Sequence, residues 1–413
     1  MNAMDAQTLG NAVSAAIGKV VDAGALAGAA TLAWRDGAIV DASCVGWRDV
    51  EARLPIERDT IFRIASMTKP ITAVAALMLL EEGRFALDDP ITRWAPEFAD
   101  MRVLRSPRGP LDDTVAAVRP ITFEDLLTHR SGITYGAFWP GPLAHACEQA
   151  LGGDIDSDVP LDAWIARLAT LPLIDQPGAT LHYGNSTDLL GVLLTRIEGV
   201  SLGELLDRRI FKPLGLKDTS FTMSPEKRGR CCAPHGFDDA GRLTKRTSGP
   251  GNSFRAERPA GMTFESGGAG LWSTVDDYLA FARLFTGDGV RLLRPETIAL
   301  MTTNCLTAAQ RATAEVGGLP LFAVGHGFGM NVAVVMEPDR AEPALCAGGA
   351  GTVGWPGAFG GWWQADPNDR SVLIFLTHNM LERDQFERGI GFGVYRAISA
   401  FHALASKPLV AKS

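Results

Sequence analysis

Apolar positions recur at helical spacing over residues 6–23, then give way to the alternation of extended chain. The stretch "GAATLAWRDGAIVDASCVGW" (28–47) reads as two strands around Arg35-Asp36-Gly37, a hairpin with a D-G turn. "RIASMTKPITAVAALMLLEEG" (63–83) is apolar almost throughout and predicts a buried helix, ended by "FALDDPITRWAPEF". Helical segments follow at 121–133, where Gly132 closes the run after Arg130, and at 186–199 and 201–215. Loops rich in Pro and Gly separate them, notably 134–160. From about 255 the pattern changes back. "GGAGLWSTVDDYLAFARLF" (267–285) reads as a turn or short strand and a helix, and "GHGFGMNVAVVM" (325–336) alternates like a strand. "GAFGGWWQAD" (357–366) and "RSVLIFLTHN" (370–379) read as strands joined at Asp366-Pro367-Asn368-Asp369, before a last helix at 385–404.

This order predicts an α+β fold: an antiparallel sheet assembled from both chain ends, flanked by helices, with a mainly helical region inserted. The expected division is a discontinuous α/β region, 1–85 and 256–413, around a helical region with long loops, 86–255. No internal repeat interrupts the pattern.

Composition narrows the function. Of 413 residues, 46% are hydrophobic and 21% charged, as in an ordinary globular protein with a large core. A formal charge of −8, with "KRGR" (227–230) the densest basic patch, argues against nucleic acid or an anionic membrane as partner. No stretch approaches 18 uninterrupted apolar residues, so no membrane span is expected. The start lacks a basic n-region and carries Asp5 where an apolar core would begin; with Met1 as the natural start, the expected location is cytoplasmic. The six cysteines form no C-x-x-C pair and read as thiols. The seven histidines fall at no i, i+3 or i+4 spacing, so neither a metal nor another cofactor is expected.

Three motif matches fail on context. Gly199-Val200-Ser201-Leu202-Gly203 fits the G-x-S-x-G elbow, but a helix precedes it where a strand is required, and Ser201 with Glu204 fits a capping box. Gly349-Ala350-Gly351-Thr352-Val353-Gly354 fits G-x-G-x-x-G, but "WPGAFGGWW" follows and is no helix. Ser224-Pro225-Glu226-Lys227 fits S-x-x-K, but it is polar and reads as a solvated helix start with Ser224 as N-cap.

A second S-x-x-K, Ser66 to Lys69, has different surroundings. Three residues along a helix are about 300° of rotation and ~4.5 Å of rise, so both side chains share a face. Pro70 is tolerated only in a first helical turn, which places Ser66 near the helix start. The positive end of the helix dipole and burial against "ITAVAALMLL" both disfavour an ammonium there. A neutral amine is a base for the serine, and the same N-terminal amides suit an oxyanion. The competing reading is a capping serine and a lysine that reaches out to water. A second element, Tyr183-Gly184-Asn185, precedes the helix at 186 and offers a phenol and an amide to a cleft, or alternatively a core tyrosine and a helix cap.

"SMTK", "LLTHRSGI", "YGN", "GGAGLWSTVDDYLAFARLF" and "GWPGAFGGWWQADP" occur in the order seen in serine β-lactamase-like hydrolases, a resemblance spanning roughly residues 10–400. Within that group the chain most resembles the carboxylesterases of family VIII, relatives of class C β-lactamases. The resemblance implies a β-lactamase/DD-peptidase-like fold with Ser66 as nucleophile, Lys69 as its partner and Tyr183 completing the base. It implies that Asn185 holds Lys69 or the substrate carbonyl, and that the backbone N–H groups of Ser66 and Ala358 form the oxyanion hole. The third β-lactamase motif, Lys-Thr-Gly, is matched by Trp355-Pro356-Gly357, which carries no charge and so suits a neutral substrate over an anionic lactam. Aromatic residues in irregular segments, Tyr135, Phe138 and Trp139, together with Trp362, are candidates for lining the pocket. The expected activity is hydrolysis of a small-molecule carboxylic ester. The alternatives are a β-lactamase, D-aminopeptidase or amide hydrolase, an acyltransferase using an alcohol acceptor, and a slowly acylating penicillin-binding sensor.

Overall fold

The computed structural model describes residues 5–407, apart from 140, 154, 248–257, 259–261, 317–318, 323–324, 381–384 and 386–387. The expected region boundary near 255–256 lies outside the described residues. Helix α1 (Ala6–Asp22) opens with the Asp5 side chain accepting from the Thr8 amide. Strands β1 (Gly28–Arg35) and β2 (Ala38–Asp41) follow, joined by Asp36 and Gly37 with φ of 47° and 87°. Positive φ at both central residues is what a tight hairpin turn of the primed type demands. Strands β3 (Cys44–Asp49) and β4 (Leu54–Pro55) complete the N-terminal contribution.

The main sheet has nine strands and is antiparallel throughout. Its order is 326–328, 333–335, 353–354, 362–366, 371–376, β1, β3, β4, with β2 also paired to β1. The central pairing joins the two chain ends, Ala30 opposite Leu376 through Arg35 opposite Ser371. One face carries α1 and the C-terminal helix Gly393–Ala405, whose Val13, Ile17, Ala397 and Phe401 pack on Ala29, Ala33, Trp362 and Phe375. The other face carries the larger core, in which α2 (Thr68–Glu81) and the helix Val275–Ala282 lie against Leu32, Trp363 and Ile374. Trp362 and Trp363, adjacent on one strand, therefore serve opposite cores, and both are fully buried. α2 is apolar all round because sheet and helical region enclose it.

Several sequence expectations change here. Residues 325–336 form a hairpin, His326–Phe328 with Ala333–Val335, turned at Asn331 with φ 62°. The supposed loop 134–160 contains a helix, Pro142–Leu151. Its Pro and Gly residues read as loop signals, but Pro142 sits at the first helical turn and Gly152 ends the helix in the left-handed region, φ 73°. The 121–133 segment shrinks to a helix over Phe123–Leu127, and the last helix starts at Gly393. The middle of the chain also carries short hairpins, 102–104 with 114–116 and 235–237 with 243–245.

Ser201 caps the helix Leu202–Leu206 by accepting from the Glu204 amide, so the G-x-S-x-G serine is structural. The Gly349 amide donates to the Asp366 carboxylate at 2.7 Å. A negative group thus stands where a phosphate would have to sit. Lys227 of the S-x-x-K at 224–227 pairs with Asp218 at 3.1 Å near the surface. All six cysteines are free thiols.

Two buried histidines join the 235–237 hairpin to the sheet. The His235 amide donates to the His378 carbonyl, and the Met380 amide to that of His235. Burial pushes the His235 imidazole down to about 4 and that of His378 down to about 3. Both stay neutral in the folded chain at pH values where the unfolded chain would take up a proton. Folding is thus expected to weaken as pH falls below about 6.5, continuing down to the folded values. Urea unfolding at pH 5 should give a stability lower than at pH 7 by a few kcal/mol, on the order of 1.4 kcal/mol per unit per histidine. His378→Gln should flatten that dependence; an equally steep acid limb in the variant would contradict it.

Candidate active site

The site starts from a strained approach to α2. Strand β5 (Phe62–Arg63) pairs with Trp272–Ser273. Arg63 is buried, bonded to the buried carboxylate of Asp156 at 2.8 Å, with its guanidinium 4.8 Å from the Trp272 ring. A buried pair of this kind is costly to break from one side, and it fixes the chain three residues before Ser66. Ala65 then takes φ 44°, a left-handed conformation unusual for a residue with a side chain, and Ala65–Met67 form one 3-10 turn leading into α2. Pro70 lies in the first turn of α2, as its missing N–H requires. Segment 267–271 is fastened alongside. Thr72 Oγ1 donates to the Gly267 carbonyl, the Leu271 amide to Thr68 Oγ1, and Tyr278 OH to the Met67 carbonyl.

Lys69 is fully buried, and its Nζ meets three oxygen atoms: Ser66 Oγ at 3.2 Å, Tyr135 OH at 3.1 Å and the Gly268 carbonyl at 2.9 Å. The lysine does not reach out to water. The carbonyl can only accept. Tyr135 directs its own hydrogen to Asp188 Oδ2 at 3.3 Å, so its oxygen accepts from the lysine. Two positions on Nζ are thereby committed as donors, and the third faces the serine.

Tyr183 OH lies 2.7 Å from Ser66 Oγ on the other side, and the indole N–H of Trp355 donates to that phenol at 3.2 Å. The Lys69 amine stands 4.5 Å from the centre of the Tyr183 ring. Serine, lysine and two tyrosines thus form one connected network, and Trp355 contributes a hydrogen bond where a charge is lacking. Gly357 rests on the Ile64 carbonyl so closely that a Cβ would come within 2.5 Å of its oxygen. That contact brings the loop bearing the exposed Ala358 beside the turn bearing Ser66.

Asp188 supports the network from below. Burial pushes its carboxyl up, while Lys69 and its donors pull it back. The donors are Ser266 Oγ at 2.5 Å, the Gly268 amide at 3.0 Å, Asn185 Nδ2 at 3.1 Å and Tyr135. Gly268 has no room for a side chain, since a Cβ would stand 2.7 Å from Asp188 Oδ2. Of the two roles expected of Asn185, the bond to Lys69 does not form: its amide serves Asp188. Its Oδ1 is buried without a partner.

Of the proposed pocket residues, Phe138 stacks on Tyr183 with centroids 6.1 Å apart and meets Tyr135 edge-on. Trp139 packs against His182, one residue from Tyr183. Tyr135, expected as lining, is a member of the hydrogen-bond network. Trp362 is a correction. It lies in the core beneath α1, its indole N–H on the Leu345 carbonyl, because strand alternation turns it away from the cleft. Asp188, Gly268 and His129 carried no usable signal; an acidic residue in a first helical turn ordinarily reads as a dipole partner. Among the described residues, no group of His, Cys, Asp or Glu is arranged to hold a metal, and no helix is long and apolar enough to cross a membrane.

Known proteins resemble this chain over most of its length. The family model described as Beta-lactamase matches residues 13–390. The chain belongs to the Beta-lactamase family. It is 44% identical over 369 residues to an uncharacterized protein of Mycobacterium tuberculosis, covering 88% of this chain and 89% of that one. It is 32% identical over 390 residues to esterase EstB of Burkholderia gladioli, covering 92% and 93% of the two chains. Among solved structures it resembles EstCE1, described as a hydrolase with promiscuous acyltransferase activity, with a TM-score of 0.78, 26% identity and coverage of 96% and 99%. It is a serine hydrolase of the β-lactamase fold, and it sits among the β-lactamase-like esterases.

Tyr135→Phe removes the hydroxyl shared by Lys69 and Asp188. It is expected to lower stability by about 1–3 kcal/mol, the cost of buried polar groups losing a partner. Thermal and urea unfolding at pH 7 measure this, and an unchanged midpoint would argue against the bridge.

Proposed function

We propose that this chain hydrolyses small, neutral carboxylic esters through an acyl-enzyme on Ser66. The observation that carries this reading is the placement of Ser66 Oγ between Lys69 Nζ at 3.2 Å and Tyr183 OH at 2.7 Å. In this reading the serine oxygen attacks the ester carbonyl and its proton passes to the Lys69–Tyr183 pair. The oxyanion rests on the backbone N–H groups of Ser66 and Ala358. Each such donor contributes about 3 kcal/mol in comparable acyl-transfer sites. Tyr183 returns the proton to the departing alcohol. A water, deprotonated by the same pair, then releases the acid and restores the serine.

Trp355 supports the choice of substrate. The β-lactam enzymes carry a lysine at the start of their third motif, which attracts the substrate carboxylate. Trp355 gives a neutral N–H to Tyr183 instead, so it assists the phenol without recruiting an anion. The acyltransferase activity in the description of EstCE1 supports a second use of the same acyl-enzyme, with an alcohol replacing water.

Chromogenic acetate and butyrate esters should be turned over faster than a chromogenic cephalosporin by at least about tenfold. Equal or preferred lactam turnover would overturn the ester assignment. Ser66→Ala should abolish hydrolysis, and Tyr183→Phe should lower kcat by about 10²–10⁴, the usual contribution of a general acid–base group. A fluorophosphonate should add to one site, located by mass spectrometry at Ser66. Adduct at another serine would remove the basis of the mechanism.

A further inference from the structure

His129 lies fully buried beneath Tyr183 and belongs to no step of that mechanism. Its ring centroid is 4.9 Å from that of Tyr183, tilted by 48°. Its Nε2 is 3.1 Å from Asn331 Oδ1, an oxygen that also accepts from Thr187 Oγ1 at 2.7 Å. Because that oxygen only accepts, the imidazole hydrogen sits on Nε2. Three separate elements therefore fix the ring: the end of the helix Phe123–Leu127, the helix Ser186–Glu198, and the turn between strands 326–328 and 333–335. His129 and Asn331 both adopt left-handed backbone, φ 53° and 62°. Asparagine takes up that conformation readily, whereas at His129 it persists because the surrounding contacts hold it. The backbone acts in the same direction: the His129 carbonyl accepts from the His182 amide at 2.8 Å, holding the residue before Tyr183.

We infer that His129 is a positioning residue for the reaction, a wedge whose ring, pinned by Asn331 and Thr187, sets the phenol of Tyr183 on Ser66. Burial and the nearby Lys69 push its imidazole well below the usual range, so the wedge carries no charge. The inference rests on the role assigned to Tyr183 under the proposed function.

The test is a double-mutant cycle read as kcat per active site titrated with fluorophosphonate, using a short-chain ester. Asparagine tolerates the backbone angle and lacks the ring, so His129→Asn is the first variant. It should lower kcat by about 10- to 100-fold, with KM within about twofold of wild type, the signature of a misplaced reacting group. In a Tyr183→Phe background the same substitution should cause no further loss. Unchanged kcat, or losses that multiply in the double variant, would overturn the inference. Thr187→Val leaves the ring in place and removes the hydroxyl that lies 3.3 Å from its Nε2 and bonds Asn331. It should give a smaller loss that also vanishes with Tyr183→Phe, and unchanged kcat in this variant overturns the inference even if His129→Asn does not fold. Wild-type kcat in Tyr183→Phe alone would sink the role of Tyr183, a separate outcome.

Discussion

The amine of a buried lysine governs this site. A fully enclosed Nζ has no water to solvate it, so the protein must supply oxygen atoms in the right directions or lose the fold around it. Ser66, Tyr135 and the Gly268 carbonyl do so, and each brings its own demands. The carbonyl requires segment 267–271 to run close beside α2, which leaves no room for a side chain at Gly268. The phenol requires an acceptor for its own hydrogen, which is Asp188, and that buried carboxylate in turn requires Ser266 and Asn185. The polar interior around Ser66 can be followed outward in this way from a single amine.

The same chain of demands explains why the helical region and the sheet cannot be separated at the site. Lys69 belongs to the helix that packs on the sheet, and Ser66 to the turn that leads into it. Tyr135, Tyr183 and Asp188 come from the helical region, and Gly268 and Trp355 from the C-terminal half. The site is a junction of all three. Its rigidity comes from hydrogen bonds that cross between them, such as the Lys69–Gly268 bond between residues 199 positions apart.

That distance also sets what could be read in advance. The meeting of Ser66 and Lys69 was legible because a helical turn brings residues three apart onto one face and Pro70 marks the helix start. The sheet from both chain ends was legible because its strands alternate and the D-G turn announces a hairpin. Tyr183 stood out locally, in a loop before a helix, but only the family resemblance assigned it a role, since nothing local separates a reacting phenol from a packed one. Asp188, His129 and Gly268 act through partners remote in sequence, and no periodicity encodes such a pairing. The aromatic candidates divided as well: Tyr135, in a loop, joined the hydrogen-bond network through partners remote in sequence, and strand alternation sent Trp362 to the core.

The pairing of β1 with residues 371–376 has a consequence during synthesis. Its contacts span more than three hundred residues, among the longest loop closures the chain can make. A nascent chain emerging from the ribosome can pair one edge of its first strand with β2 and β3 at once, but must carry the other edge open until translation is nearly complete. The helical middle has the shorter-range contacts to condense first. Protection of that open edge until residues 371–376 arrive becomes part of how this molecule reaches its folded form.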